Sequence, residues 1–142
     1  MQLAGRSALV AGGAGGLGSA TVRRLAAQGA GVVVLDPDRD RAGALVADLG
    51  DRVRAVNGDS NDDKAVATAI SQAQELGAFS IAVSATGVVI PSPRLVNSDG
   101  AVMEKETLRA NLELHVLGPF NLARLAAAIA RRTFPTMMGS AA

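Results

Sequence analysis

The sequence has no cysteine, no tyrosine and no tryptophan, and its single histidine is His115. The first absence excludes disulfides, thiolate metal sites and a cysteine nucleophile, and gives no sign of an oxidising compartment. One histidine leaves no basis for a His-rich metal site or a Ser-His-Asp triad. Charge of one sign is not in excess, since 14 Lys+Arg stand against 13 Asp+Glu. A surface made to hold a polyphosphate backbone carries a basic surplus, so nucleic acid is not the expected partner. No uncharged apolar run reaches the ~18–20 residues of a membrane-spanning helix. The opening residues lack the cationic and apolar regions of a signal peptide. The sequence therefore reads as a soluble, cytoplasmic protein with no membrane partner and no metal.

What is present is one domain's length, 142 residues, 49% of them apolar, with 16 glycines. Ser7–Ala11 is a short apolar run that stops at glycines, as a strand covered on both faces does. Gly12–Gly18 is a glycine-rich turn, and Leu17–Gln28 follows with a helical period ending at Gly29 and Gly31. Val32–Leu35 is a second buried strand. Asp38 is placed to cap a helix bearing Ala42, Leu45, Val46 and Leu49, which Gly50 ends. Val53–Val56 is a third strand. Asp62 and Asp63 are expected in the first turn of a third helix with a core face of Val66, Ala69, Ile70, Ala73 and Leu76. Phe79–Ala85 is a fourth strand, and Thr86–Ala101 a long Gly/Pro/Ser loop of the kind that is usually functional or disordered. Pro91, Ser92, Pro93 and Arg94 in that loop are candidates to border a substrate cleft, or ordinary loop residues. From about Glu104 to Arg132 a helix is expected, with an apolar stripe of Leu108, Leu112, His115, Pro119, Leu122, Leu125/Ala126 and Ile129. The domain is read as 1–132 and the residues 133–142 as an irregular tail. Alternation of strand and helix predicts an α/β fold, a doubly wound parallel sheet with its ligand at the carboxyl ends of the strands.

The turn fits two glycine spacings, GxGxxG on Gly13, Gly15 and Gly18, and GxxxGxG on Gly12, Gly16 and Gly18. Both let the backbone turn tightly beside a pyrophosphate and aim a helix N-terminus at it. Asp36 closes the second strand, 18 residues beyond Gly18. The fingerprint expects an acid about 20 residues on, accepting from the ribose diol and repelling a 2′-phosphate, which favours NAD over NADP. The alternative, a plain turn residue before Pro37, is the weaker one in a strand-turn-helix-strand context. Arg39 and Arg41 are read as solvated helix charges rather than phosphate ligands.

These residues resemble the short-chain dehydrogenase/reductase family. Val10–Gly18 is similar to its TGxxxGxG turn, with Ala11 where Thr is usual. Asp59 matches the family's adenine-contacting acid, and Ser84-Ala85-Thr86-Gly87 stands where the family has NNAG, with only Gly87 kept. Leu112–Asn121 resembles the helix containing LxVNLxGxF. The length between Gly87 and Glu104 resembles the branch of type 10 hydroxysteroid and 3-hydroxyacyl-CoA dehydrogenases. The resemblance implies a Rossmann-like sheet of order 3-2-1-4, incomplete relative to the family. It implies NAD as cofactor, held by Gly12, Gly15, Gly16, Leu17, Gly18, Asp36, Asp59, Ser60, Ala85 and Gly87. It implies hydride transfer to or from a secondary alcohol or ketone, with an acyl-CoA as one candidate substrate.

The family's chemistry rests on a Tyr acid/base, a Lys four residues later, a Ser and a helical Asn. This sequence has no Tyr, and its lysines, Lys64 and Lys105, lie elsewhere. No complete catalytic set is present. His115 takes the Asn position, where an imidazole can relay a proton, but its place on an apolar stripe favours a packed, hydrogen-bonded side chain. Pro119 has no N–H to give the carbonyl of residue 115, so a kink and a bound water are expected there. The fourth strand is expected to be an unpaired edge. The chain is accordingly read as the cofactor half of an NAD-dependent oxidoreductase. Alternatives are a non-catalytic nucleotide-binding fragment and an interaction module that self-associates through its last helix.

Overall fold

The computed structural model describes residues 3–87 and 94–133. Strands β1 (Arg6–Ala11), β2 (Gly31–Asp36), β3 (Val53–Asn57) and β4 (Ala78–Ser84) alternate with helices α1 (Gly16–Ala27), α2 (Arg39–Leu49) and α3 (Asp63–Leu76). After β4 come α4 (Lys105–Leu112), a π turn (Glu113–Leu117) and α5 (Gly118–Thr133). The sheet is parallel with order β3-β2-β1-β4, as expected.

The uninterrupted apolar runs place β1 and β2 at the centre, where all six residues of β2 are buried. Ala8, Val10, Val32 and Val34 face one core with Val22 of α1 and Ala42 and Leu45 of α2. Leu9, Ala11, Val33 and Leu35 face the other with Val66, Ala69, Ile70 and Ala73 of α3 and Leu122 and Ala126 of α5. Each buried Val, Leu or Phe stabilises the fold by roughly 1.5–3 kcal/mol. Alternation alone would put Phe79, Ile81 and Val83 on one face. Instead the register shifts where Ser7 pairs with Phe79 and Ala8 with Ile81, so Ser80 is an extra residue. This bulge turns Phe79 into the α3/α5 core and Ile81 and Val83 into the α1/α2 core. Among the described residues β4 pairs with β1 alone, leaving its outer edge open.

Helix starts follow the acids. The Asp38 carboxylate accepts the Arg41 N–H at 3.0 Å and caps α2. Asp62 is the cap of α3 rather than a member of its first turn, accepting the Lys64 N–H at 2.8 Å. Helix α1 differs: its cap position is Gly15, with no side-chain cap and no acid in its first turn.

Three expectations need correction. The last helix is not one α-helix. The Gly118 N–H reaches back five residues to the Glu113 carbonyl, widening the backbone into a π turn just before Pro119, whose ring crowds the preceding turn. The apolar stripe covers the core only from α5 onward, because Leu108 and Leu112 are about half exposed. His115, expected to be packed, is exposed on the π turn. In the long loop, residues 95–103 form a small hairpin, with Val96 bridging Val102 and the Met103 N–H donating to the Leu95 carbonyl at 3.0 Å. Pro91, Ser92 and Pro93, and residues 134–142 of the expected tail, lie outside the described residues. No described helix is long and apolar enough to cross a membrane.

Candidate functional site

The site grows from the end of β1. The Gly12 N–H donates to the Leu35 carbonyl at 2.8 Å, and the chain turns at φ +70°, a left-handed conformation that favours glycine. A Cβ at Gly12 would also lie 2.7 Å from the Ala85 carbonyl oxygen beyond β4. The Gly15 N–H closes the turn on the Gly12 carbonyl at 3.2 Å. Gly18, one turn into α1, brings its Cα against that same carbonyl, so that a Cβ would sit 2.0 Å from the Gly12 oxygen. An added Cβ at Gly16 meets no atom within 4 Å.

Asp36, at the end of β2, is 7% exposed. One carboxylate oxygen accepts the Ala14 N–H at 2.9 Å and the other accepts the Asp38 N–H at 2.9 Å. Asp36 thus ties the glycine turn to the β2–α2 turn. Ionised, each oxygen retains a lone pair for a further donor. Arg41 borders the same cleft, with its guanidinium 3.8 Å from the Asp38 carboxylate.

A second wall comes from the loop after β3. Asp59 Oδ1 accepts the Asn61 N–H at 2.7 Å and the Asn61 side-chain amide at 3.1 Å. Ser60 is buried, and its carbonyl accepts the Asn121 side-chain amide of α5 at 2.9 Å. Asp63 is doubly bonded by Arg124 of α5, both at 2.7 Å. Bonding to Arg124, and then to Asn121, holds the Asp63 carboxyl below its ordinary value. A third wall is the chain leaving β4. The Ala85 N–H donates to the Ala11 carbonyl at 2.8 Å, and a Cβ added at Gly87 would lie 3.7 Å from the His115 ring.

Together these walls enclose a cleft of about 270 Å³ at the carboxyl ends of the strands. Of the residues named from the sequence as cofactor-binding, Gly12, Gly15, Asp36, Asp59, Ser60, Ala85 and Gly87 line it. Gly16, Leu17 and Gly18 do not. They form the first turn of α1, where Leu17 is 83% exposed and Gly18 is buried beneath the glycine turn. Arg41, read from the sequence as a solvated helix charge, also lines the cleft, as does Leu114 of the π turn, while Asn61 and Asn121 bond the loop of its second wall without a sequence signal for that role. An Asn inside a helical stripe gives no local sign that its partner is a loop 61 residues away.

Two consequences are measurable. Asn121→Ala leaves the buried Ser60 carbonyl without its partner, so the unfolding free energy should fall by roughly 1–3 kcal/mol, read as a lower urea midpoint at unchanged slope. Asp63 is lowered in the folded state, so its pairing stabilises the fold above the ordinary carboxylate value and that stabilisation fades as pH falls through the depressed one. The stability difference between wild type and Arg124→Ala should hold near neutral pH and vanish in strong acid. A difference independent of pH in denaturation curves would contradict this pairing.

A doubly wound parallel sheet with its cleft where the chain reverses between β1 and its neighbours defines a Rossmann-type domain. Residues 6–133 match the short-chain dehydrogenase family model, and the chain belongs to that family. It is 33% identical over 124 residues to human 3-hydroxyacyl-CoA dehydrogenase type-2, covering 87% of this chain and 48% of that protein. Over 59 residues it is 48% identical to cis-2,3-dihydrobiphenyl-2,3-diol dehydrogenase of Paraburkholderia xenovorans, covering 42% of this chain and 21% of the other. Among solved structures, 3-hydroxyacyl-CoA dehydrogenase type-2 from Mycobacterium avium superposes with TM-score 0.85 at 41% identity, over 88% of this chain and 49% of that one. 3-Ketoacyl-(acyl-carrier-protein) reductase from Brucella melitensis, complexed with NADH, gives TM-score 0.80 at 25% identity over 96% and 54%. The chain spans about half the length of the 3-hydroxyacyl-CoA dehydrogenases it matches.

Proposed function

We propose that this chain binds NAD in the cleft and is the cofactor half of an oxidoreductase acting on a secondary alcohol or ketone. The observation that carries this reading is the Asp36 carboxylate, buried at the cleft wall and bonded to the Ala14 N–H of the glycine turn. It holds an acceptor for a ribose diol beside the start of α1, and its charge opposes a 2′-phosphate. The residues present suit a pyrophosphate. Helix α1 begins without a side-chain cap or an acid in its first turn, unlike α2 and α3, so its positive N-terminal end suits a phosphate. Open space over Gly16 leaves the backbone approachable. A bound nicotinamide dinucleotide supplies the hydride acceptor or donor. In this reading the Gly12–Gly18 backbone orients its phosphates, Asp36 its ribose, and Asp59 and Ser60 flank its base, with Ala85 and Gly87 along the other wall.

Likeness to 3-hydroxyacyl-CoA dehydrogenases supports a 3-hydroxyacyl thioester as substrate class. A second reading, a nucleotide-binding module without turnover, is favoured by the absence of any Tyr in these 142 residues. Exposed Leu112, Val116 and Phe120 also favour self-association through the α4–α5 segment, which sedimentation velocity across a concentration series would register. Calorimetric titration separates the functional readings when followed by absorbance of the reduced cofactor with a 3-hydroxyacyl-CoA. NAD binding at least about tenfold tighter than NADP is expected. Binding without reduction selects the module, reduction selects the enzyme, and no binding of either cofactor rejects both.

A further inference from the structure

We propose that Asp38 is a second cofactor-specificity residue: as the counter-ion of Arg41 at the cleft edge, it cancels a guanidinium that would otherwise attract a 2′-phosphate, and so turns the site against NADP. The inference rests on the nucleotide-binding reading above and deepens it. Its origin is the double use of one carboxylate. Asp38 Oδ1 accepts the Arg41 backbone N–H at 3.0 Å, which caps α2. Asp38 Oδ2 lies 3.8 Å from Arg41 Nε, with both side chains substantially exposed. The Asp38 backbone N–H donates to the Asp36 carboxylate at 2.9 Å, which fixes the pair beside the group assigned to the ribose. Asn57 steadies this turn from β3, its side-chain amide donating to the Asp36 carbonyl at 3.2 Å and to the Pro37 carbonyl at 2.9 Å.

Asp36, Asp38 and Arg41 all line the cleft, whereas Arg39 and Asp40, the other charges at the start of α2, do not. Among the described residues Arg41 pairs with no carboxylate but Asp38. Together the three cleft groups carry one net negative charge. A ligand that ends there in a diol is tolerated, and one that brings a further phosphate meets like charge. A guanidinium by itself is a ready phosphate ligand. Here its neighbour's charge cancels it. An exposed pair of this kind contributes little to folding stability, so its consequence falls on the ligand rather than on the fold. The two uses of Asp38 are also separable. Any short side chain with an acceptor oxygen caps α2, but only an anion cancels Arg41. Asn and Ser keep the first use and remove the second.

The test titrates NAD and NADP calorimetrically into the wild-type chain, Asp38→Asn, Asp38→Ser and the double variant Asp38→Asn/Arg41→Gln. Each single variant should bind NADP about tenfold more tightly than wild type, the scale of one hydrogen bond to a charged group, while NAD moves by less than about threefold. The double variant restores the net charge of the wild-type cleft and lacks the guanidinium, so its NADP affinity should return to within about threefold of wild type. Two capping residues of different shape keep the result from resting on one variant's folding. A merely structural role for Asp38 would weaken both cofactors alike, leave their ratio alone and overturn the proposal. A gain that survives in the double variant assigns the effect to repulsion by Asp38 alone and overturns its role as counter-ion. An unchanged ratio in both single variants, beside intact NAD binding, overturns the proposal and spares the nucleotide reading. A wild-type chain that binds neither cofactor overturns both.

Discussion

Gly18→Ala is expected to lower the unfolding free energy by about 3 kcal/mol, the upper range for an overpacked interior, and to abolish NAD binding. The new Cβ would lie 2.0 Å from the Gly12 oxygen and 2.8 Å from both the Gly12 carbonyl carbon and the Gly13 Cα. All three are backbone atoms, so no side chain can turn away. Gly12 is itself held by the Leu35 carbonyl and by the Gly15 N–H. Relief requires α1 to lift from the sheet, and α1 carries Val22, which is fully buried against Val34 and its neighbours. Gly16→Ala is the matched control. It meets no atom within 4 Å and replaces glycine by a better helix former, so the unliganded fold should be unchanged or stabilised by up to about 1 kcal/mol. Its methyl nevertheless occupies the space where a pyrophosphate would approach, and NAD affinity should fall. Thermal melts with and without NAD read both effects. A Gly16→Ala chain that binds NAD as tightly as wild type would remove the phosphate from this turn.

Asp36→Ala is expected to weaken NAD by about 10- to 100-fold, the loss of bonds to a charged acceptor at 1.5–3 kcal/mol. It should also erase the preference over NADP. The variant leaves the buried Ala14 N–H without a partner, which costs roughly 1–3 kcal/mol of stability. Asp36→Asn separates the two effects. An amide oxygen can still accept one of the two N–H groups while the NH2 cannot accept the other, so part of the stability returns. The charge that repels a 2′-phosphate does not return, and Arg41 on the same cleft is then left to favour one. NADP should therefore gain on NAD in both variants, as read by parallel titrations. A preserved NAD preference in Asp36→Ala would place cofactor discrimination elsewhere.

Much of this arrangement is legible in short windows. Val32–Leu35 reads as a doubly covered strand because no polar residue interrupts it, and β2 is buried throughout. Asp38 reads as a helix start because a short acid before a helical period satisfies free N–H groups. Asp36 and the glycine turn read together because parallel neighbours bring consecutive strand ends to one edge. The parts that stayed hidden all depend on distant partners. Ser80 gives no sign of being a bulge, since the extra residue exists only in its pairing with β1. Leu108 and Leu112 carry the same period as Leu122 and Ala126, yet only the latter pair has a sheet face to cover.

The sequence by itself determined the order of strands and helices and the cap of α2, through backbone sterics and hydrogen bonding within a few residues. It also pointed to the meeting of the glycine turn with Asp36, which the parallel pairing of β1 with β2 completes across 22 residues. The helix irregularity at Pro119 was legible locally, but only the tertiary structure decided that it is a π turn, that His115 is exposed on it, and how the cleft's second wall closes. That wall depends on Asn61 and Asn121 meeting carbonyls 52 and 61 residues away. Such bonds form only once the second core has brought α3 and α5 together on one face of the sheet.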